Sequence, residues 1–142
     1  MTNFYKVPDK TSLNLIPILS PIFNKVIVIT GPKESGILPV GNDYVLYYNQ
    51  QGEFLKQSQI HKSYIPTPTS DKYKGNTILQ TTHTHILSDF ISSTDICNVL
   101  LFKEEIKWKD EIIMSQNYIS IWNVRNNHLK VMTIDEYFKS NK

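Results

Sequence analysis

A chain of 142 residues with 40% hydrophobic and 20% charged residues has the balance of a folded domain, not of a disordered segment. A chain of this length buries roughly two-thirds of its unfolded surface, so folding requires neither disulfide nor metal, and one cysteine excludes an internal disulfide in any case. A net charge of +2 spread along the chain argues against a nucleic-acid-binding face.

Residues 1–10 are polar and charged. The apolar stretch 13–23 is broken by Pro17 and Pro21 and is too short to span a bilayer. It also lacks the basic lead and small-residue cleavage site of a secretory signal, so the expectation is a soluble, cytoplasmic protein with no membrane partner. Two prolines four residues apart limit residues 11–23 to a broken helix. Residues 25–30 (KVIVIT) form the clearest strand, ended by Gly31-Pro32. Strands follow at 43–49 and 53–64, with Asn49-Gln50-Gln51-Gly52 as the turn between them. Residues 66–76 are polar and proline-bearing, the composition of a surface loop.

Residues 77–85 (TILQTTHTH) alternate as a strand does. Ser92 is a good N-cap for a helix over 92–102, with Ile96, Val99 and Leu100 on its buried face. Cys97, beside Ile96 and Val99, reads as a small buried apolar residue and not as a nucleophile. A charged connector (KEEIKWKDE) leads to short strands at 112–115, 118–124 and 128–132, the last two joined by Asn126-Asn127. Thr133, Asp135 and Glu136 suit the start of a closing helix. The sum is one α/β (α+β) domain over 1–142: a mostly antiparallel or mixed sheet with two or three helices packed on it.

The chemistry-bearing constellation lies between His83 and Asp95. Residues i and i+2 of a strand share a face, so His83 and His85 can offer two imidazoles to one metal ion. Asp95 sits in the first turn of the next helix, within reach of that strand end. Two histidines and one carboxylate leave a fourth zinc position open for water, the pattern of a hydrolytic centre. The plainer reading is that Ser92 and Asp95 form a capping box and the histidines a polar strand end. His61 and His128 have no sequence partner and read as surface residues.

His83-Thr84-His85 followed by Ser92-Ser93-Thr94-Asp95 resembles the metal motif of the JAMM metallopeptidases, the JAB/MPN domain family. The resemblance implies a JAB/MPN-like fold and Zn2+ held by His83, His85 and Asp95. It further implies that Ser92 steadies an oxyanion. The family's upstream glutamate, the general acid/base, finds its best match in Glu34 within the stretch 34–41 (ESGILPVG), and Glu53 is a second candidate. Nine residues separate His85 from Asp95, one fewer than the family pattern, and Ile86 stands where that pattern has proline. Two readings follow. One is a zinc-dependent hydrolase cleaving a peptide or isopeptide bond; the other is an inactive scaffold of the same kind docking a protein partner. Trp108, Trp122 and the Tyr47-Tyr48 pair are candidate anchors for the second reading, or half-buried core. Oligomeric state is not legible.

Overall fold

The computed structural model describes residues 4–69 and 77–140. The chain divides into two compact units, Met1–Thr67 and Pro68–Lys142.

In the first unit, β1 (Thr11–Ile18), β2 (Asn24–Pro32), β3 (Ile37–Gly41), β4 (Tyr44–Tyr48), β5 (Phe54–Gln59) and β6 (Tyr64–Pro68) follow in chain order. Strands β1, β2, β4 and β5 form one sheet in the order β1-β2-β4-β5, with every neighbour antiparallel, while β3 pairs with β6. The apolar run of β2 is buried on both faces, with Ile27, Val28, Ile29 and Thr30 all buried, which explains its lack of alternation. Residues 11–18 are therefore a strand and not the expected broken helix. They pair with β2 from Thr11↔Pro32 to Ile18↔Lys25, and Pro17 is tolerated because β1 is the sheet's edge.

A buried polar network pins the centre of this unit. Asn42 Nδ2 donates to Thr30 Oγ1 (2.9 Å), and Tyr44 Oη donates to Asn42 Oδ1 (2.8 Å). Asp43 accepts from the Thr30 amide (3.3 Å) and pairs with His61 Nδ1 at 3.0 Å. His61 is thus buried, against the expectation of a surface residue, because a fully buried carboxylate needs a partner. At Gly41 φ is +78°, and a Cβ there would collide with the Ser63 carbonyl, so only glycine fits. Part of the expected loop 66–76 is strand, since β6 runs to Pro68; residues 70–76 of it lie outside the described residues.

The second unit contains β7 (Gln80–Thr84), α1 (Ser93–Leu101), β8 (Asp110–Met114), β9 (Tyr118–Asn123), β10 (His128–Thr133) and α2 (Ile134–Ser140). Its sheet order is β10-β9-β8-β7, and β7 runs parallel to β8. A parallel pair needs a crossover, and α1 lies in it. One sheet face carries Ile112, Ile119 and Met132, covered by Ile134 and Tyr137 of α2. Register and alternation put Thr81, His83, Glu111, Ile113, Ser120 and Trp122 on the opposite face.

Among the described residues, strand accounts for 46% and helix for 12%, in three sheets and two helices. The protein is β-rich, which overturns the expected α/β, JAB/MPN-like sheet with two or three packed helices. The strands divide among three sheets, one expected helix is a strand, and the two helices are only 9 and 7 residues long. No helix among the described residues is long and apolar enough to cross a membrane.

Candidate metal centre

His83 lies on β7, and the pairing with β8 extends one residue further, through the His85 amide to the Met114 carbonyl at 2.8 Å. That extension holds His85 in strand alternation with His83, so both rings lie on one face. Their Nε2 atoms are 3.2 Å apart. The segment leading into α1 is tied to the same face where the Ile91 amide donates to Ser120 Oγ (3.2 Å).

Helix α1 begins with the capping box read from the sequence. Ser92 Oγ accepts from the Asp95 amide at 3.2 Å, and the Ser92 amide donates to Asp95 Oδ2 at 2.8 Å. The same carboxylate reaches both imidazoles. Asp95 Oδ1 is 3.5 Å from His83 Nε2, and Asp95 Oδ2 is 3.3 Å from His85 Nε2. All three side chains are at least nine-tenths buried. Turning Asp95 inward rotates the helix, so its buried residues are Thr94, Asp95, Asn98 and Val99. Val99 is buried as expected, but Ile96 is only half-buried, and Cys97 and Leu100 (40%) are exposed where burial was expected.

The second nitrogen of each ring fixes what the first can do. His85 Nδ1 is 2.9 Å from the Phe90 carbonyl oxygen, which can only accept, and 2.9 Å from Ser88 Oγ. His83 Nδ1 donates to Glu111 Oε1 at 3.2 Å. With Nδ1 donating, a neutral imidazole carries its lone pair on Nε2, so both lone pairs face Asp95. Burial alone pulls the His83 pKa down. Hydrogen bonds to Asp95 and Glu111, and the charges of both, outweigh burial and lift it to about 9.

Tetrahedral zinc ligands at 2.0–2.1 Å stand about 3.3–3.4 Å from one another. Here the two Nε2 atoms are 3.2 Å apart, Asp95 Oδ1 is 3.5 Å from one and Asp95 Oδ2 is 3.3 Å from the other. Two imidazole nitrogens and a carboxylate oxygen also suit zinc chemically. The residues fit the ion. His85 and Asp95 belong to a buried group of ligand atoms within 4.8 Å of one another that could hold a metal ion, a group that does not include His83. Beside His85 opens a cleft of about 540 Å³, lined by Thr84, Ile86, Leu87, Ser88, Asp89, Met114, Ser115 and Gln116.

Of the other sequence candidates, Ser92 is brought to the site, where its hydroxyl donates to Asp95 Oδ2 at 2.7 Å. Glu34 belongs to the first unit, where its carboxylate accepts from Lys10 Nζ at 2.8 Å. Glu53 sits at the β4–β5 turn and accepts from Asn49 Nδ2 at 2.7 Å. Trp108 and Trp122 are buried at 2% and 8% exposure, so neither is a surface anchor. The buried neighbour of this cluster that sequence reading does not single out is Glu111. Its signal was a glutamate directly before the apolar run Ile112-Ile113, which the charged connector upstream disguised.

No protein-family model, curated protein or solved structure matches this chain.

Proposed function

We propose that His83, His85 and Asp95 hold one zinc ion, and that the protein is a zinc-dependent hydrolase of the JAMM type acting on a peptide or isopeptide bond. The observation that carries this reading is the convergence of two buried imidazole nitrogens, 3.2 Å apart, on one buried carboxylate whose two oxygens stand 3.5 and 3.3 Å from them. Zinc bound there supplies a Lewis acid and lowers the pKa of a coordinated water toward about 7.

The chain's own residues do the remainder. His83 and His85 present Nε2, and Asp95 contributes a negative charge held in place by the Ser92 amide and hydroxyl. The cleft next to His85 is the receiving surface for substrate. Quenched-fluorescence peptide and isopeptide substrates test the proposal with zinc-loaded protein. Hydrolysis is expected to disappear on chelation, return with zinc, and be lost in Asp95→Asn; Glu34→Gln and Glu53→Gln then ask which carboxylate moves the proton. Activity that survives both chelation and Asp95→Asn would contradict the proposal.

A second reading, a non-catalytic binding module, draws on one observation. Ser92 Oγ is already committed to Asp95 and to the helix cap, which leaves the oxyanion role without an obvious donor. Stoichiometric zinc without hydrolysis of any substrate would favour that reading.

A further inference from the structure

Glu111 is 1% exposed on the central strand β8, a position that costs several kcal/mol for a charged side chain unless its oxygens are satisfied. Both are. Oε2 accepts from the Thr81 hydroxyl, one strand over in register, and Oε1 accepts from His83 Nδ1 at 3.2 Å. The carboxylate is therefore clamped between a strand neighbour and the far side of an imidazole whose other nitrogen faces Asp95 and His85.

We propose that Glu111 is a positioning residue for the metal centre, holding His83 in the tautomer that leaves Nε2 to bind zinc; the inference rests on the zinc reading above. Three consequences follow from the geometry. A carboxylate on Nδ1 fixes ring orientation, which a single strand-borne rotamer does not. It makes Nε2 a stronger donor, as carboxylate–histidine–zinc relays do. It also settles the site's charge, since Asp95 and Glu111 together bring two negative charges that one divalent cation balances inside a buried cluster. Thr81 serves the same end at one remove, because its hydroxyl prevents the carboxylate from swinging away from His83.

A plain structural role, in which Glu111 only satisfies a buried histidine, makes a different forecast. It lowers the melting temperature of Glu111→Gln and leaves zinc affinity alone. The experiment is a zinc competition titration against a chromophoric chelator, run on wild type and Glu111→Gln, with circular dichroism and melting of both in the metal-free state. Expected is one zinc per wild-type chain and an affinity 10–100-fold weaker in a folded Glu111→Gln. Equal affinities with zinc bound to both would overturn the positioning role and leave the metal site standing. No zinc on wild type would overturn the site and this inference together. Should Glu111→Gln fail to fold, long-range 1H–15N correlation of zinc-loaded wild type decides. A proton on His83 Nδ1 with Nε2 bound is expected, and the opposite tautomer would overturn the proposal.

Discussion

His83 Nε2 and His85 Nε2 face each other across 3.2 Å, and each ring turns its other nitrogen to an acceptor, Glu111 Oε1 and the Phe90 carbonyl. Two neutral imidazoles so placed would aim lone pairs at each other. The arrangement calls for a cation between them, either a proton or a metal ion. Burial acts to lower the His83 pKa, but hydrogen bonds to Asp95 and Glu111 and their charges raise it to about 9, so in the metal-free protein the cation is a proton on His83.

Zinc must therefore displace that proton. Calorimetric zinc titrations at pH 7 in buffers of different ionisation enthalpy are expected to show release of about one proton per ion. Zinc affinity should rise with pH up to about 9, where His83 loses its proton unaided. Zinc uptake without proton release at pH 7 would contradict the assignment of His83 as a ligand.

The same shift makes metal-free stability pH-dependent. His83 has a folded pKa above its ordinary 6.5, so its stabilising contribution is complete below 6.5 and is lost as pH rises through about 9. The contribution is on the order of a few kcal/mol. Urea midpoints of the metal-free protein at pH 6 and pH 10 are expected to differ more in wild type than in His83→Gln. An identical pH response in the two proteins would show that His83 is not held protonated.

Ser92 has a measurable structural task whatever the chemistry. It accepts from the Asp95 amide as N-cap, and its amide and hydroxyl both donate to Asp95 Oδ2. Ser92→Ala is expected to cost about 1 kcal/mol of stability, read as a lowered urea midpoint, and to weaken zinc binding by loosening Asp95. A variant as stable as wild type would mean the cap is not formed in solution.

Helix α2 carries a second box of this kind. Glu136 Oε2 accepts from the Thr133 amide (2.8 Å) and hydroxyl (2.9 Å), and these bonds hold the Glu136 carboxyl below its ordinary pKa. A depressed carboxyl stabilises above its unfolded pKa of 4.5 and loses that contribution as pH falls through the folded value. Amide exchange in α2 is expected to speed up relative to the sheet as pH drops below 4.5, once intrinsic rates are corrected, and Glu136→Gln should abolish the difference.

In the first unit, Gly41→Ala places a Cβ against the Ser63 carbonyl at a φ of +78°. A destabilisation of at least about 1 kcal/mol is expected, from left-handed strain plus the collision. An unchanged melting temperature would mean that β3 and β6 separate at little cost.

The sequence made the local elements of the second unit legible because each has a local cause. Ser92 and Asp95 announce a helix start, Asn126-Asn127 a hairpin, and Thr133 with Glu136 a second helix start; all three are present. The His83–Asp95 constellation was legible for the same reason, since strand alternation and a helix cap fix where its side chains point. What misled was non-local. Leu13 to Ile18 become a strand only because β2 offers them a pairing edge, and no short-range signal announces that edge. His61 looked like a surface residue because its partner, Asp43, is 18 positions away. Glu111 was hidden because its partners, Thr81 and His83, meet it only through the parallel pairing of β7 with β8.

The most direct measurement is metal content per chain, by mass spectrometry, of protein purified without a metal-affinity tag. Wild type and the His83→Ala/His85→Ala double variant should be compared after incubation with zinc and removal of excess. About one zinc on wild type and none on the double variant is the expected result. Wild type that takes up no zinc, or a double variant that binds as much, would contradict a metal centre built from His83, His85 and Asp95.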